Sequence, residues 1–285
     1  MSAPVIKLDS KCVKVSEFFQ DSYVVPQFQR GYAWKHAQVE QFLGDIYEFL
    51  EEQNSSPIYL LGQVIIAPGR ELEQGQEVYE LVDGQQRATT LLLFLIALYK
   101  RFSKIQNWHQ SAALRHHHHN LENMIIYTNQ TTATINEMNL RIKVAGDGSK
   151  LVNAILEKDD DADNFPGVDI TNWTRANILD AYKTIVNFLD IKYPDINVIP
   201  DLYVRVVTKL MLVRLELPTT ELAVHVFDRI NNRGLSLNSA DLLKNIIFMR
   251  VKDQNVHERI SIEWQMASEQ LYKCSSGRLK HMEYL

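Results

Sequence analysis

Five consecutive polar or glycine residues, Asp83-Gly84-Gln85-Gln86-Arg87, lie between an apolar strand-like run and an apolar helix-like run and continue into Ala88-Thr89-Thr90. A strand that ends in Asp-Gly turns the backbone so that successive amides at the start of the next helix converge on one spot, where the helix dipole also favours an anion. A phosphate fits such a spot. Arg87 would add a two-pronged, charge-assisted contact, the Asp83 carboxylate would hold Mg2+ through water, and a glutamine amide would orient a water for attack. These are the parts of nucleotide hydrolysis. The same residues also admit a purely structural reading, in which Asp83 caps the helix, Gly84 supplies a positive φ and Arg87 pairs with a surface carboxylate.

A second candidate is Pro26-Gln27-Phe28-Gln29-Arg30-Gly31-Tyr32-Ala33-Trp34, which alternates flat rings with a guanidinium and amides. That pattern suits stacking on a base and hydrogen bonding to its edge or its phosphates. It equally suits rings that cover the following helix while Arg30 makes an internal ion pair. The third candidate runs from Val226 to Asn245 and reads as a helix, the polar turn Asn231-Asn232-Arg233-Gly234, and a capped second helix from about Ser239. Arg233 and Lys244, one on the loop and one on the next helix, would converge on a phosphate or on DNA, with Asn232 beside them.

Other clusters carry less. His116 to His119 read as a solvated turn, because consecutive side chains diverge and only His116 and His119 would share a helix face. His225, between Val224 and Val226, reads as a buried, hydrogen-bonded imidazole. The acidic run Asp159 to Asp163 lacks the spaced ligands and glycine of a calcium loop. There is no GxxxxGK[ST] phosphate loop.

The elements that must position these groups follow from periodicity. Val39, Phe42, Leu43, Ile46, Phe49 and Leu50 recur at helical steps and predict an amphipathic helix over 36–53. Ile58 to Ala67 and Glu77 to Val82 predict two antiparallel strands, and Thr89 to Arg101 predicts a helix buried on most sides with cations at its C-terminus. Residues 103–167 read as short helices joined by loops. Trp173, Ile178, Tyr182, Ile185, Val186 and Leu189 share a helix face, and 198–208 forms another helix. The alternation of Val213, Leu215 and Leu217 with Arg214 and Glu216 predicts a strand that closes at Pro218, before a helix over 219–230. From Val256 the pattern is helical and still uncapped at Leu285, as in a chain that continues.

Composition bounds the function. The 285 residues are 46% hydrophobic and 23% charged, which excludes disorder and leaves ample core for one large or two modest domains. The longest apolar run, Leu91 to Tyr99, is too short to cross a bilayer, and the first ten residues lack a secretory pattern, so the expected location is the cytoplasm, with no membrane. Cys12 and Cys274 are too few and too far apart for a disulfide framework or a Cys-x-x-Cys zinc site. A net charge of −5 confines any nucleic-acid contact to a local patch. With 11 glycines and 8 prolines, the expected class is α+β: a small sheet with helices, plus a mainly helical second region.

Four motifs, VPQFQRGYAW, YLLGQVII, YELVDGQQRATTLLLF and VFDRINNRGLSLNSADLLKN, stand in this order. Together they resemble the N-terminal domain of the GmrSD family of modification-dependent restriction proteins, a domain shared with the SspE phage-defence proteins, from about Val13 to about Lys280. The resemblance implies a ParB/sulfiredoxin-like nucleotide-binding core over 1–102 and a helical region over 103–285 whose 211–245 segment packs back on the core. It implies hydrolysis of a nucleoside triphosphate, GTP favoured, with Mg2+ at Asp83, coupled to sensing of modified DNA such as phosphorothioate DNA. Cleavage would reside in a C-terminal or partner HNH-type nuclease, since no His-Asn-His pattern occurs here, and a homodimer is compatible with this. By motif position, Asp83, Gln85, Gln86 and Arg87 inherit the hydrolytic role. Gln29, Arg30, Tyr32, Trp34, Gly84, Thr89 and Thr90 inherit nucleotide binding, and Asn232, Arg233 and Lys244 contact with phosphate or DNA. Ala88 stands where leucine is usual, Phe28 where tyrosine is common and Gly31 where proline is common. A non-hydrolysing nucleotide or DNA-binding module of the ParB-like type is the alternative.

Overall fold

A computed structural model describes residues 9–51, 57–69, 77–127, 139–145, 148–157, 173–231 and 266. Its centre is a mixed six-stranded sheet in the order β1-β8-β3-β4-β2-β7. The strands are β1 (Asp9–Lys14), β2 (Ser22–Val24), β3 (Tyr59–Pro68), β4 (Val78–Asp83), β7 (Ile142–Lys143) and β8 (Leu210–Glu216). β1 runs antiparallel to β8 and β4 antiparallel to β3, whereas β3 is parallel to β8 and β2 is parallel to both β4 and β7. A small second sheet pairs β5 (Ile126–Tyr127) with β6 (Asn139–Leu140).

β3 explains why the sheet needs cover on both faces. Val64, Ile65, Ile66 and Ala67 are all fully buried, so the run is continuous rather than alternating. Val64 and Ile66 enter the main core, and Ile65 and Ala67 enter a second cluster with Val82, Leu217, Ala223, Val224 and Phe227. The second cluster lies under α8 (Thr220–Asn231). The main core is built around α3 (Gln85–Ser103), whose residues from Leu91 to Leu98 are all buried. Around it lie α2 (His36–Glu51), α4 (Ala112–Ile125), α5 (Gly148–Glu157), α6 (Trp173–Lys192) and α7 (Ile199–Lys209), with the one-turn α1 (Val15–Phe18) at the foot of β1. At the basic end of α3, Arg101 donates to Tyr193 O at 2.7 Å and pairs with Asp190.

The expected class, helices with a small sheet, is what the chain adopts, and the helices over 36–51, 173–192 and 199–209 and the β3/β4 hairpin stand where periodicity puts them. Several elements differ. α3 begins at Gln85, not Thr89, because the glutamine amides find partners in a neighbouring loop and need not leave the helix. β1, β2 and β7 are strands that no local alternation announces; each forms because a neighbour offers an open edge. In β8 the inward face is Leu210, Leu212 and Arg214, so Arg214 is buried instead of facing solvent.

The histidine run is a correction too. It lies within α4, where His118 is buried against α3: its Nε2 is 2.9 Å from Ser103 Oγ and its ring stacks on Trp108 at 3.9 Å. Helical rotation sends one of four successive side chains inward and the others outward. His225, in contrast, is exposed on α8. Asp159 to Asp163, the segment from Ser239 and the one from Val256 lie outside the described residues, apart from Met266.

Candidate functional site

The site forms where β3, β4, α3 and the loop before α2 meet. β4 ends in Asp83, and Gly84 turns the chain at φ 81°, a left-handed value. A side chain at Gly84 would also meet Val64 Cγ1 at 2.6 Å and Gln63 O at 2.9 Å, so glycine is required twice over. Gly84 N donates to Asp83 Oδ1 at 2.7 Å. The N-cap Gly84 has no side chain to cap α3, so the amides of its first turn receive no acceptor from the N-cap residue and stand at the positive end of the helix dipole.

Arg87 projects from that first turn. Its guanidinium lies on the main chain of Gly62, where a Cβ would come within 2.9 to 3.1 Å of Cζ and both terminal nitrogens. Gly62 has φ 121° and sits in an irregularity of β3 where the register against β8 shifts between Leu60 and Gln63. The Arg87 Nη1 donates to Gln63 O at 3.0 Å, and among the described residues the guanidinium has no ion pair within 4 Å. It is half-buried, and burial lowers its pKa against the opposing pull of Asp83. Asp83 is the mirror case. Burial raises its pKa, while the Gly84 amide, Arg87, a hydrogen bond from the Gln63 side chain and, least of these, Arg30 hold the carboxyl down. Thus an acid and a base stand near each other, each partly stripped of water, without a closed ion pair.

The three glutamines of the site bond to protein. Gln86 Oε1 accepts from Ala33 N at 2.7 Å and Trp34 N at 3.3 Å, and its Nε2 donates to Gly31 O at 3.2 Å. Gln29 Nε2 donates to Val82 O at 2.9 Å, and Gln85 Nε2 donates to Gln29 Oε1 at 3.3 Å. These bonds dock the 29–34 loop on α3. The loop leaves the Arg30 side chain exposed, near enough to Asp83 for its charge to act on that carboxyl.

Asp83, Gly84, Gln85, Gln86, Arg87, Gln29 and Arg30 are therefore brought together. Tyr32, Trp34, Thr89 and Thr90 lie beneath them as support. The Tyr32 hydroxyl is 2.8 Å from Thr90 Oγ1, which itself donates to Gln86 O; Trp34 packs edge-on against Phe42 of α2; Thr89 is buried. Asn232, Arg233 and Lys244 lie outside the described residues.

Sequence reasoning missed Gly62 and Gln63, although an isolated glycine inside a strand pattern signals a bulge or a close backbone approach. It also missed Asn177 of α6, which holds the loop from the other side and which no local signal marks. Among the described residues, no group of three or more His, Cys, Asp or Glu side chains forms a metal cluster, and no helix is long and apolar enough to cross a membrane. The half-buried Asp83 carboxylate would suit Mg2+ only where phosphate oxygens of a substrate complete the coordination, since the described residues provide no protein cage.

No curated protein matches the chain. A family model does, and it spans most of the sequence, including every residue of the site. Residues 15–248 match the N-terminal domain of GmrSD restriction endonucleases, and the chain belongs to that family, as a component of a restriction and phage-defence system.

Proposed function

We propose that this chain is a nucleoside-triphosphate-hydrolysing sensor domain, GTP favoured, that regulates an HNH-type nuclease in a C-terminal domain or partner subunit according to the modification of DNA. The observation that carries this reading is Arg87: a half-buried guanidinium with one hydrogen bond to a carbonyl and, among the described residues, no ion pair, beside the N-terminus of α3, whose N-cap Gly84 offers no side-chain acceptor. Such a cation is under-neutralised, and an anion that enters gains charge-assisted hydrogen bonds in a site partly shielded from water.

In this reading the α3 amides and Arg87 bind phosphate oxygens, and Arg30 closes over them from the loop. Asp83 would hold Mg2+, through water, which supplies charge neutralisation on the phosphates. Gln86 keeps the loop in place, so orientation of the attacking water falls to Gln85, whose bond to Gln29 is long at 3.3 Å. Tyr32, Trp34, Thr89 and Thr90 fix these groups from below. Asn232, Arg233 and Lys244 retain their proposed contact with phosphate or DNA. The domain works in the cytoplasm on modified DNA such as phosphorothioate DNA, and is compatible with a homodimer.

The test is phosphate release from GTP, ATP, CTP and UTP with Mg2+, by wild type and Arg87→Ala, with no DNA, unmodified DNA and phosphorothioate DNA. Turnover that needs Arg87 and rises with modified DNA is expected. The engagement of Gln86 in three protein bonds favours one other reading, a ParB-like module that binds nucleotide or DNA without turnover. Thermal protection by a triphosphate without phosphate release would select it.

A further inference from the structure

The loop that presents Arg30 is gripped from two sides. On one side stand the site's own glutamines; on the other stands the N-terminal part of α6, an element that takes no part in the phosphate site. Asn177 of α6 is only 4% exposed, and both ends of its amide read the loop. Its Nδ2 donates to Tyr32 O at 3.1 Å and its Oδ1 accepts from Lys35 Nζ at 2.6 Å. One turn earlier on α6, Thr174 packs so closely on Gly31 that no Cβ fits there. Two turns later, Thr184 Oγ1 is 2.8 Å from His36 Nδ1, at the first residue of α2. Contacts from three successive parts of one helix face thus follow the chain from Gly31 to His36.

We propose that Asn177 is a positioning residue for the phosphate site: from α6 it seats the 29–35 loop, so that a shift of α6 moves Arg30 and alters the site's hold on a triphosphate. The donor is essential to this role, because the amide donates to the Tyr32 carbonyl from Nδ2 while it accepts from Lys35 at Oδ1, and an ionised carboxylate in its place has no donor for that carbonyl. α6 packs on α2, α3 and α5, and so connects the helical region to the loop. This inference rests on the phosphate-binding reading above.

The test uses the full chain as wild type, Asn177→Ala, Asn177→Asp, Arg30→Ala and the Arg30→Ala/Asn177→Ala double variant. Hydrogen exchange read over 31–36 and over 85–103 needs no ligand. In Asn177→Ala the loop amides are expected to exchange faster while α3 stays protected. Affinity for GTP with Mg2+ is expected to fall about tenfold in Asn177→Ala, and the double variant is expected to bind no more weakly than Arg30→Ala alone. Asn177→Asp keeps the Lys35 contact but opposes a carboxylate to the Tyr32 carbonyl, and is expected to behave like the alanine variant. Unchanged loop exchange, faster exchange throughout α3, or losses that add in the double variant would overturn the proposal. Should wild type bind no triphosphate at all, the phosphate-site reading falls, and loop exchange by itself still decides whether Asn177 seats the loop.

Discussion

Two arginines, Arg214 buried and Arg87 half-buried, meet opposite surroundings. Arg214, on β8, is 4% exposed and closely matched: it pairs with Asp21, reaches Glu216 at 3.2 Å and lies over the Tyr79 ring at 4.6 Å. Its Nε has no acceptor among the described residues and is buried from solvent. Arg87, on α3, has one carbonyl and no ion pair among the described residues. The pKa directions record the contrast. Burial depresses both guanidiniums, but around Arg214 it is outweighed by Tyr23, Asp21 and Glu216, whose pull raises the pKa, whereas Asp83 does not outweigh it at Arg87. A guanidinium with its charge satisfied inside the protein is spoken for; one left short of acceptors is a candidate to bind an anion.

The comparison is sharpened by substitutions on each side. Arg87→Ala is expected to lower phosphate release by about 10² to 10³-fold, the usual loss of one preorganised charge donor, while unfolding in urea stays within about 1 kcal/mol of wild type. A large loss of stability with retained turnover would place Arg87 with Arg214 among the structural arginines. Arg214→Ala is expected to cost about 3 kcal/mol in urea unfolding, because Asp21 and Glu216 lose their partner. A change below about 1 kcal/mol would show that its matching contributes no net stability.

Gly84→Ala is expected to cost about 2 kcal/mol, through the left-handed backbone and the contact with Gln63 O. Since Gln63 O is also the Arg87 acceptor, nucleotide affinity should fall with stability; a loss of stability alone would detach the turn from the site.

The smallest effect runs the other way. Burial raises the folded pKa of Asp83 above its ordinary value of 3.8, so the folded state binds more protons than the unfolded state between the two values. Stability therefore falls as pH rises through that window, and the penalty remains at neutral pH. Without added metal, Asp83→Asn is expected to raise the melting temperature at pH 7, with a gain that disappears below about pH 3.8. A neutral-pH loss would mean that the Arg87 attraction outweighs the desolvation of Asp83.

How far each part was legible depended on where its partners lie. The helix over Val39, Phe42, Leu43 and Ile46 and the fully apolar β3 segment Val64–Ala67 report their burial through their own residues. Asp83-Gly84 likewise carries its turn in its composition, because a left-handed backbone asks for glycine. In contrast, DSKCVK does not declare itself a strand, since β1 is held by the β8 edge, and nothing around Arg214 in sequence announces Asp21 or Tyr79. Only the fold reveals that the Gln86 amide is bonded to Gly31, Ala33 and Trp34. Asn177 was silent for the same reason, being 145 residues from the carbonyl that it holds.

By itself, then, the sequence determined the periodic elements, the strand-turn-helix that carries DGQQR and the family to which the chain belongs, because these depend on residue type and short spacing. Only the tertiary structure decided which polar groups are consumed by internal partners and which, among the described residues, keep few of them. Hydrogen bonding and desolvation are settled between groups distant in the chain: Arg214 and Arg87 are the same residue type, and their surroundings alone give one a full set of charged partners and leave the other with one carbonyl among the described residues.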